Sequence, residues 1–234
     1  YVVGLFLNIA VLRVIMLSCG GWYKKHPLED GAPKGGVGMI EATVLSIYND
    51  VIKGCIGENY RRYAPYLLTA FFFVLVNNLM GLIPIFPGGA NVTGNIAITL
   101  VLALCTFVLT NVYGTKAYWK EIFWPDVPTW LKAPIPMMPL IEFFGIFTKP
   151  FALMIRLFAN IMAGHAAVLS LVAIIFITVK SGPVINGSMT VVSVAFSIFM
   201  DALEILVAFI QAYVFTMLSA VFIGLSQVKE HAEK

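Results

Sequence analysis

Residues 140–180, LIEFFGIFTKPFALMIRLFANIMAGHAAVLSLVAIIFITVK, form an apolar run too long for a simple membrane crossing. As one helix rising about 1.5 Å per residue it is roughly 60 Å long, twice the ~30 Å hydrocarbon thickness of a bilayer. A second run of this kind fills residues 184–228. A buried reversal of direction within either run would strand backbone N–H and C=O groups in lipid and would need turn residues. No proline lies between Pro150 and Pro183, or between Val184 and Val228. The sequence therefore predicts two long, strongly tilted helices. The breakers Ser181-Gly182-Pro183 and Asn186-Gly187 predict that they form a hairpin.

Composition extends this reading to the whole chain. Of the 234 residues, 60% are hydrophobic and 12% charged, where soluble domains carry about a quarter charged. With a mean hydropathy of +0.91, residues 1–234 read as a single membrane domain. A net charge of +3 with scattered basic residues excludes a nucleic-acid surface. Cys19, Cys55 and Cys105 lie far apart with no CxxC or Cys/His spacing, so neither a disulfide framework nor a metal site is expected. No cofactor motif is present either. Residue 1 is Tyr rather than Met, and the expectation is a true start that is missing or has been processed away.

Residues 1–18 predict a first membrane helix and 19–66 a polar loop carrying Lys24, Lys25, Lys34, Lys53, Arg61 and Arg62. Inside that loop Ile40, Val44, Ile47, Val51 and Cys55 recur at helical spacing, the mark of an amphipathic helix lying on the membrane surface. Residues 67–86 and 96–113 are uncharged and span-length, joined by PGGANVTGN. Residues 114–139, with prolines at 125, 128, 134, 136 and 139 and tryptophans at 124 and 130, predict an irregular interfacial connection. The fold class is thus an all-α integral membrane protein of about five membrane helices. Basic residues gather after the first and third spans, where Lys116, Lys120 and Lys132 join those above, while Lys180 stands alone opposite. That sets the N-terminus outside and the C-terminus in the cytoplasm.

The two long helices carry Glu142, Lys149, Arg156, His165, Asp201 and Glu204. An arginine at bilayer depth costs about 2.5–3.5 kcal/mol on insertion scales, so it needs a partner or water. Glu142, Lys149 and Arg156 repeat every seven residues and share a face, with Asn160 nearly on the same stripe. His165 is about 180° round and roughly 13 Å further along. On the second helix Glu204 and Gln211 share a stripe. In an antiparallel hairpin, Arg156, Asn160 and Gln211 fall near mid-membrane, His165 and Glu204 meet nearer the turn, and Glu142 lies toward the other leaflet. Ionisable groups on either side of a fixed cation resemble two proton paths that do not join. Each residue also has a plainer reading. Arg156 suits an ion pair with Glu204 or Asp201, and His165 suits a satisfied core position. Asp201 suits helix packing, and Lys149 suits snorkelling to the interface. Asn77 and Asn78 fit lining water or hydrogen-bonding between helices.

RLFANIMAGH (156–165) and LEILVAFIQAYVFTMLSAVFIG (203–224), with NNLMGLIP (77–84) and IEFFGIFTKPFALMIRLFAN (141–160), resemble subunit a of the F-type ATP synthase over nearly all of the chain from about residue 35 onward. The resemblance implies a stator subunit, non-catalytic by itself, that couples proton flow to rotation and ATP synthesis. It implies that Arg156 faces the carboxylates of a c-subunit ring. Asn160, His165, Glu204 and Gln211 match positions of the outer half-channel, and Glu142 matches one of the inner half-channel. Lys149 and Asp201 carry over less firmly. Implied partners are the c-ring, peripheral-stalk b subunits, the remaining synthase subunits and the lipid bilayer. The implied location is a bacterial inner membrane ahead of an energy-coupling organelle. A secondary transporter or ion channel for a small solute is the competing class, although the chain shows no internal repeat. Sodium in place of protons stays open.

Overall fold

The computed structural model describes residues 2–25, 35–82, 94–123, 137–179 and 183–227. Their elements, in chain order, are α1 (Val2–Lys25), α2 (Gly36–Ser46), a π-helical turn (Ile47–Lys53), α3 (Gly54–Ile56) and a 3-10 turn (Gly57–Asn59). Then come α4 (Tyr60–Leu82), α5 (Ile96–Val112), α6 (Lys116–Phe123), α7 (Met137–Thr178) and α8 (Pro183–Ser226). There is no strand among the described residues. Among the described residues, four helical segments are long and apolar enough to cross a membrane, and the 17-residue α5 is a shorter apolar helix. The chain is an all-α membrane protein.

α7 and α8 are continuous over 42 and 44 residues, roughly 63 and 66 Å at about 1.5 Å per residue. They pack against each other as an antiparallel pair, closed at the turn by Thr178 Oγ1 donating to Asn186 Oδ1 at 3.1 Å. Lys34, Lys132, Lys180, Ser181-Gly182, the tail from 228 and most of both proline- and glycine-rich connections lie outside the described residues.

Lipid is as apolar as leucine, so membrane helices associate by close packing and hydrogen bonds more than by apolar burial. α8 shows the consequence. Ala208, Ala212, Phe215, Thr216, Ser219, Ala220 and Ile223 are buried on one face, and the small residues among them let α4 and α5 approach. α5 answers with Thr99, Ala103, Thr106 and Thr110. Tyr66, Thr106 and Ser219 link α4, α5 and α8 through hydroxyl contacts of 2.8 and 3.3 Å. Asn8 of α1 donates to the Asn77 side chain of α4.

The amphipathic segment departs from the surface helix expected of it. Tyr48 and Tyr60, twelve positions apart, have ring centroids 5.4 Å apart, whereas a straight helix would separate them by about 18 Å. The chain folds back at Gly57, whose φ of 74° is cheap only for glycine. Ile47, Val51, Ile52 and Ile56 are then buried in the main core against α4 and α8. The π-helical turn widens the helix locally and brings in Ile52, which a strict 3.6-residue stripe leaves out. Two further boundaries differ: α1 continues through Gly20-Gly21 to Lys25, and the connection after α5 holds the short α6, which ends before its first proline.

The N-terminal end of α4 and the C-terminal ends of α5 and α8 meet. Ser226 O accepts from Thr115 N at 2.9 Å, and Gln227 Nε2 donates to Tyr113 O at 2.6 Å. Arg62 lies 4.5 Å from the Tyr113 ring centroid. Arg61, Arg62, Lys116 and Lys120 sit at this end, which the positive-inside rule assigns to the cytoplasm.

Candidate functional site

α7 contributes only a narrow stripe to the core, Ile146, Leu153, Met154, Leu157 and Ile161. Arg156 directly precedes the fully buried Leu157, so it lies about 100° round the helix. It is exposed, and no ion pair reaches it among the described residues. The expected alternative, a structural pair with Glu204 or Asp201, is therefore not formed. Asp201 is itself exposed on α8.

Eight residues along α7 from Arg156, about 12 Å toward the hairpin turn, the backbone opens at Gly164. A Cβ there would stand 2.5 Å from Glu204 Oε1 and 2.9 Å from Glu204 Cδ. The Glu204 carboxylate thus lies against the Gly164 backbone, in the space that a side chain at 164 would take. Its Oε1 is buried and has no hydrogen-bond partner among the described residues, although leaving such an acceptor dry costs about 1–3 kcal/mol. The carboxylate borders a cavity of about 260 Å³ lined by Asn78 and Leu82 of α4, Asn160, Gly164 and His165 of α7, and Leu203 and Ala208 of α8. At ~30 Å³ per water that volume takes several. Three of the sequence-predicted residues, Asn160, His165 and Glu204, share this one chamber with Asn78.

Gln211 does not line it. It lies about 10 Å further along α8, 7% exposed, with Nε2 buried and without a partner among the described residues. At that height α8 runs past Arg156, so Gln211 continues the polar line from Glu204 toward the level of the arginine. The chamber is largely apolar, with one carboxylate, one imidazole and two amides on its wall, about 12 Å along α7 from the exposed Arg156.

The family model described as ATP synthase A chain matches residues 3–224. The chain belongs to that family. It is 48% identical over its whole length to the protein named ATP synthase subunit a of Chlorobium phaeobacteroides (strain DSM 266), covering 66% of that relative. It is 44% identical over 98% of its length to the subunit a of Chloroherpeton thalassium, again covering 66%, and 43% identical over 99% to that of Myxococcus xanthus, covering 73%. The chain thus spans just under two thirds of the length of the first two relatives.

On the other side of Arg156 in this ATP synthase A chain family member, Lys149 Nζ stands 3.9 Å from Glu142 Oε1. Glu142, its side chain 47% exposed, lies fourteen residues from Arg156, about 21 Å along the helix. The Lys149 side chain is 27% exposed. Its ammonium turns toward the bundle, 5.8 Å from the Phe222 ring centroid. Tyr118 of α6 packs close by, and burial followed by the Glu142 charge raises its phenol above the ordinary value.

Gly164 has only a faint signal in the sequence, a small residue directly before His165. Asn111, one of several polar side chains in α5, carries no spacing cue. Asn77 and Asn78 divide the two readings open to them. Asn77 is buried and bonds Asn8 and, at 2.6 Å, Phe73 O. Asn78 lines the chamber and also donates to Ala208 O at 3.5 Å.

Proposed function

We propose that this chain is the proton-translocating stator subunit of a rotary F-type ATP synthase in a bacterial inner membrane, non-catalytic by itself. The exposed, unpaired Arg156 carries the reading. It lies between the Asn160, His165 and Glu204 chamber, with Gln211 beyond it, and the Glu142 carboxylate on the opposite side along α7. An arginine keeps its proton at any working pH, so it cannot relay one, but it attracts a carboxylate and favours its charged form. A carboxylate of a rotating c-ring arriving protonated loses its proton beside Arg156 and regains one from the other path after leaving. The chamber is the outer half-channel and Glu142 marks the inner one. The fixed charge blocks direct leakage between them. A membrane potential supplies about 2.3 kcal/mol per charge per 100 mV to drive the cycle. The broad exposed faces of α7 and α8 give the ring, lipid and peripheral-stalk b subunits their contact surfaces.

The test is Arg156→Ala in the complete synthase. The complex assembles and proton-driven ATP synthesis is lost; preserved synthesis ends the proposal. Glu204→Gln slows ion flux and changes its pH dependence, and unchanged rates across pH remove Glu204 from the path. ATP synthesis under a proton gradient with and without sodium decides the coupling ion.

A further inference from the structure

A second, far smaller cavity lies between α5, α6, α7 and α8. Its volume is about 10 Å³, the space of a single water. Phe107 and Phe222 help wall it, and five polar side chains line it. The hydroxyls of Thr106 and Thr110 donate to the backbone of their own helix, which leaves Asn111, Tyr118 and Lys149. The Asn111 amide is held in one orientation because Nδ2 donates to Phe107 O at 2.8 Å. That leaves Oδ1 buried with no hydrogen-bond partner among the described residues. Lys149 has three N–H donors, and Glu142 occupies at most one of them at 3.9 Å. Tyr118, 6% exposed, supplies a phenol that both donates and accepts.

We propose that this cavity binds one water, which accepts from Lys149 Nζ and donates to Asn111 Oδ1, with Tyr118 as its third polar neighbour. Asn111 is thereby a positioning residue for the Glu142–Lys149 pair. Lysine stems are long and flexible, and an untethered ammonium is free to swing outward. The water ties it inward, so Glu142 keeps its cation at a fixed place on the inner path. The positioning role rests on the proposed proton function; the water does not.

The water is tested directly in a high-resolution structure of the complete synthase. A density peak within about 3.2 Å of both Asn111 Oδ1 and Lys149 Nζ is expected. An empty cavity in a map that resolves other buried waters overturns the proposal. The role is tested by proton-driven ATP synthesis in assembled complexes. Asn111→Leu lowers the rate about fivefold, the equivalent of one net hydrogen bond, and Asn111→Asp, which keeps an acceptor facing the ammonium, restores most of it. Lys149→Met lowers the rate comparably, and Asn111→Leu combined with Lys149→Met is no slower than either alone. A wild-type rate for Asn111→Leu, or single effects that multiply in the double variant, overturns the positioning role. If Arg156→Ala leaves synthesis intact, the proton reading fails by itself while the density peak still decides the water.

Discussion

At Gly164 the missing side chain leaves the space that the Glu204 carboxylate occupies. The atom nearest a Cβ there is the far end of the Glu204 side chain, which can swing away at little cost to folding. Gly164→Ala is therefore expected to leave assembly and thermal stability unchanged while moving the carboxylate. A displacement of about 1 Å at a reacting group can cost on the order of a hundredfold in rate, so at least a tenfold loss of proton-driven ATP synthesis is expected. A normal rate would mean that the position of Glu204 is not critical. The charged residues of this site were legible from sequence because ionisable groups in an apolar helix stand out whatever they do. Gly164 and Asn111 were not, because their roles come from what stands opposite them. Arg156 shows both sides of this. Its presence was plain in the sequence, yet only the structure decided between an internal ion pair and an exposed cation.

Between elements, small residues do the work that large apolar ones do in soluble cores. Gly224 of α8 lies against the Cys55 carbonyl, with no room for a Cβ. Here the obstacle is backbone, which cannot rotate aside, so Gly224→Ala should push the α2–α3 arm off α8. Overpacking of this kind costs about 1–3 kcal/mol. Detergent-solubilised complex carrying Gly224→Ala should show a lower unfolding midpoint, in contrast to Gly164→Ala. The Asn8–Asn77 pair makes a second case. Asn77→Leu leaves the Asn8 amide without its partner and should destabilise the docking of α1 by about 1 kcal/mol; an unshifted midpoint would show that α1 is held elsewhere. Periodicity located the apolar stripe of the α2–α3 arm but not what covers it. Membrane surface and protein surface present the same apolar face to such a helix, and the choice depended on the reversal at Gly57.

For the whole molecule, the meeting of the α4 start with the α5 and α8 ends puts Tyr60, Tyr113 and Gln227 on one side. Single-cysteine variants Arg61→Cys, Lys116→Cys and Gln227→Cys should all react with a membrane-impermeant thiol reagent from the cytoplasmic face of sealed vesicles. Asn95→Cys, before α5, should react only from the opposite face. Labelling of Arg61→Cys and Gln227→Cys from different faces would contradict this arrangement.

The sequence by itself determined the membrane class, the long final hairpin and the set of ionisable residues, since each follows from transfer free energy and helix geometry along one chain. The tertiary structure decided which of them meet. Asn160, His165 and Glu204 converge with Asn78 in one chamber, while Glu142 and Lys149 pair apart from it and Arg156 stays open. That choice depends on the relative rotation and register of α4, α7 and α8, which small residues set by allowing close approach. Lipid and protein are equally apolar neighbours for the rest of each helix surface, so hydrophobic pattern alone cannot encode it.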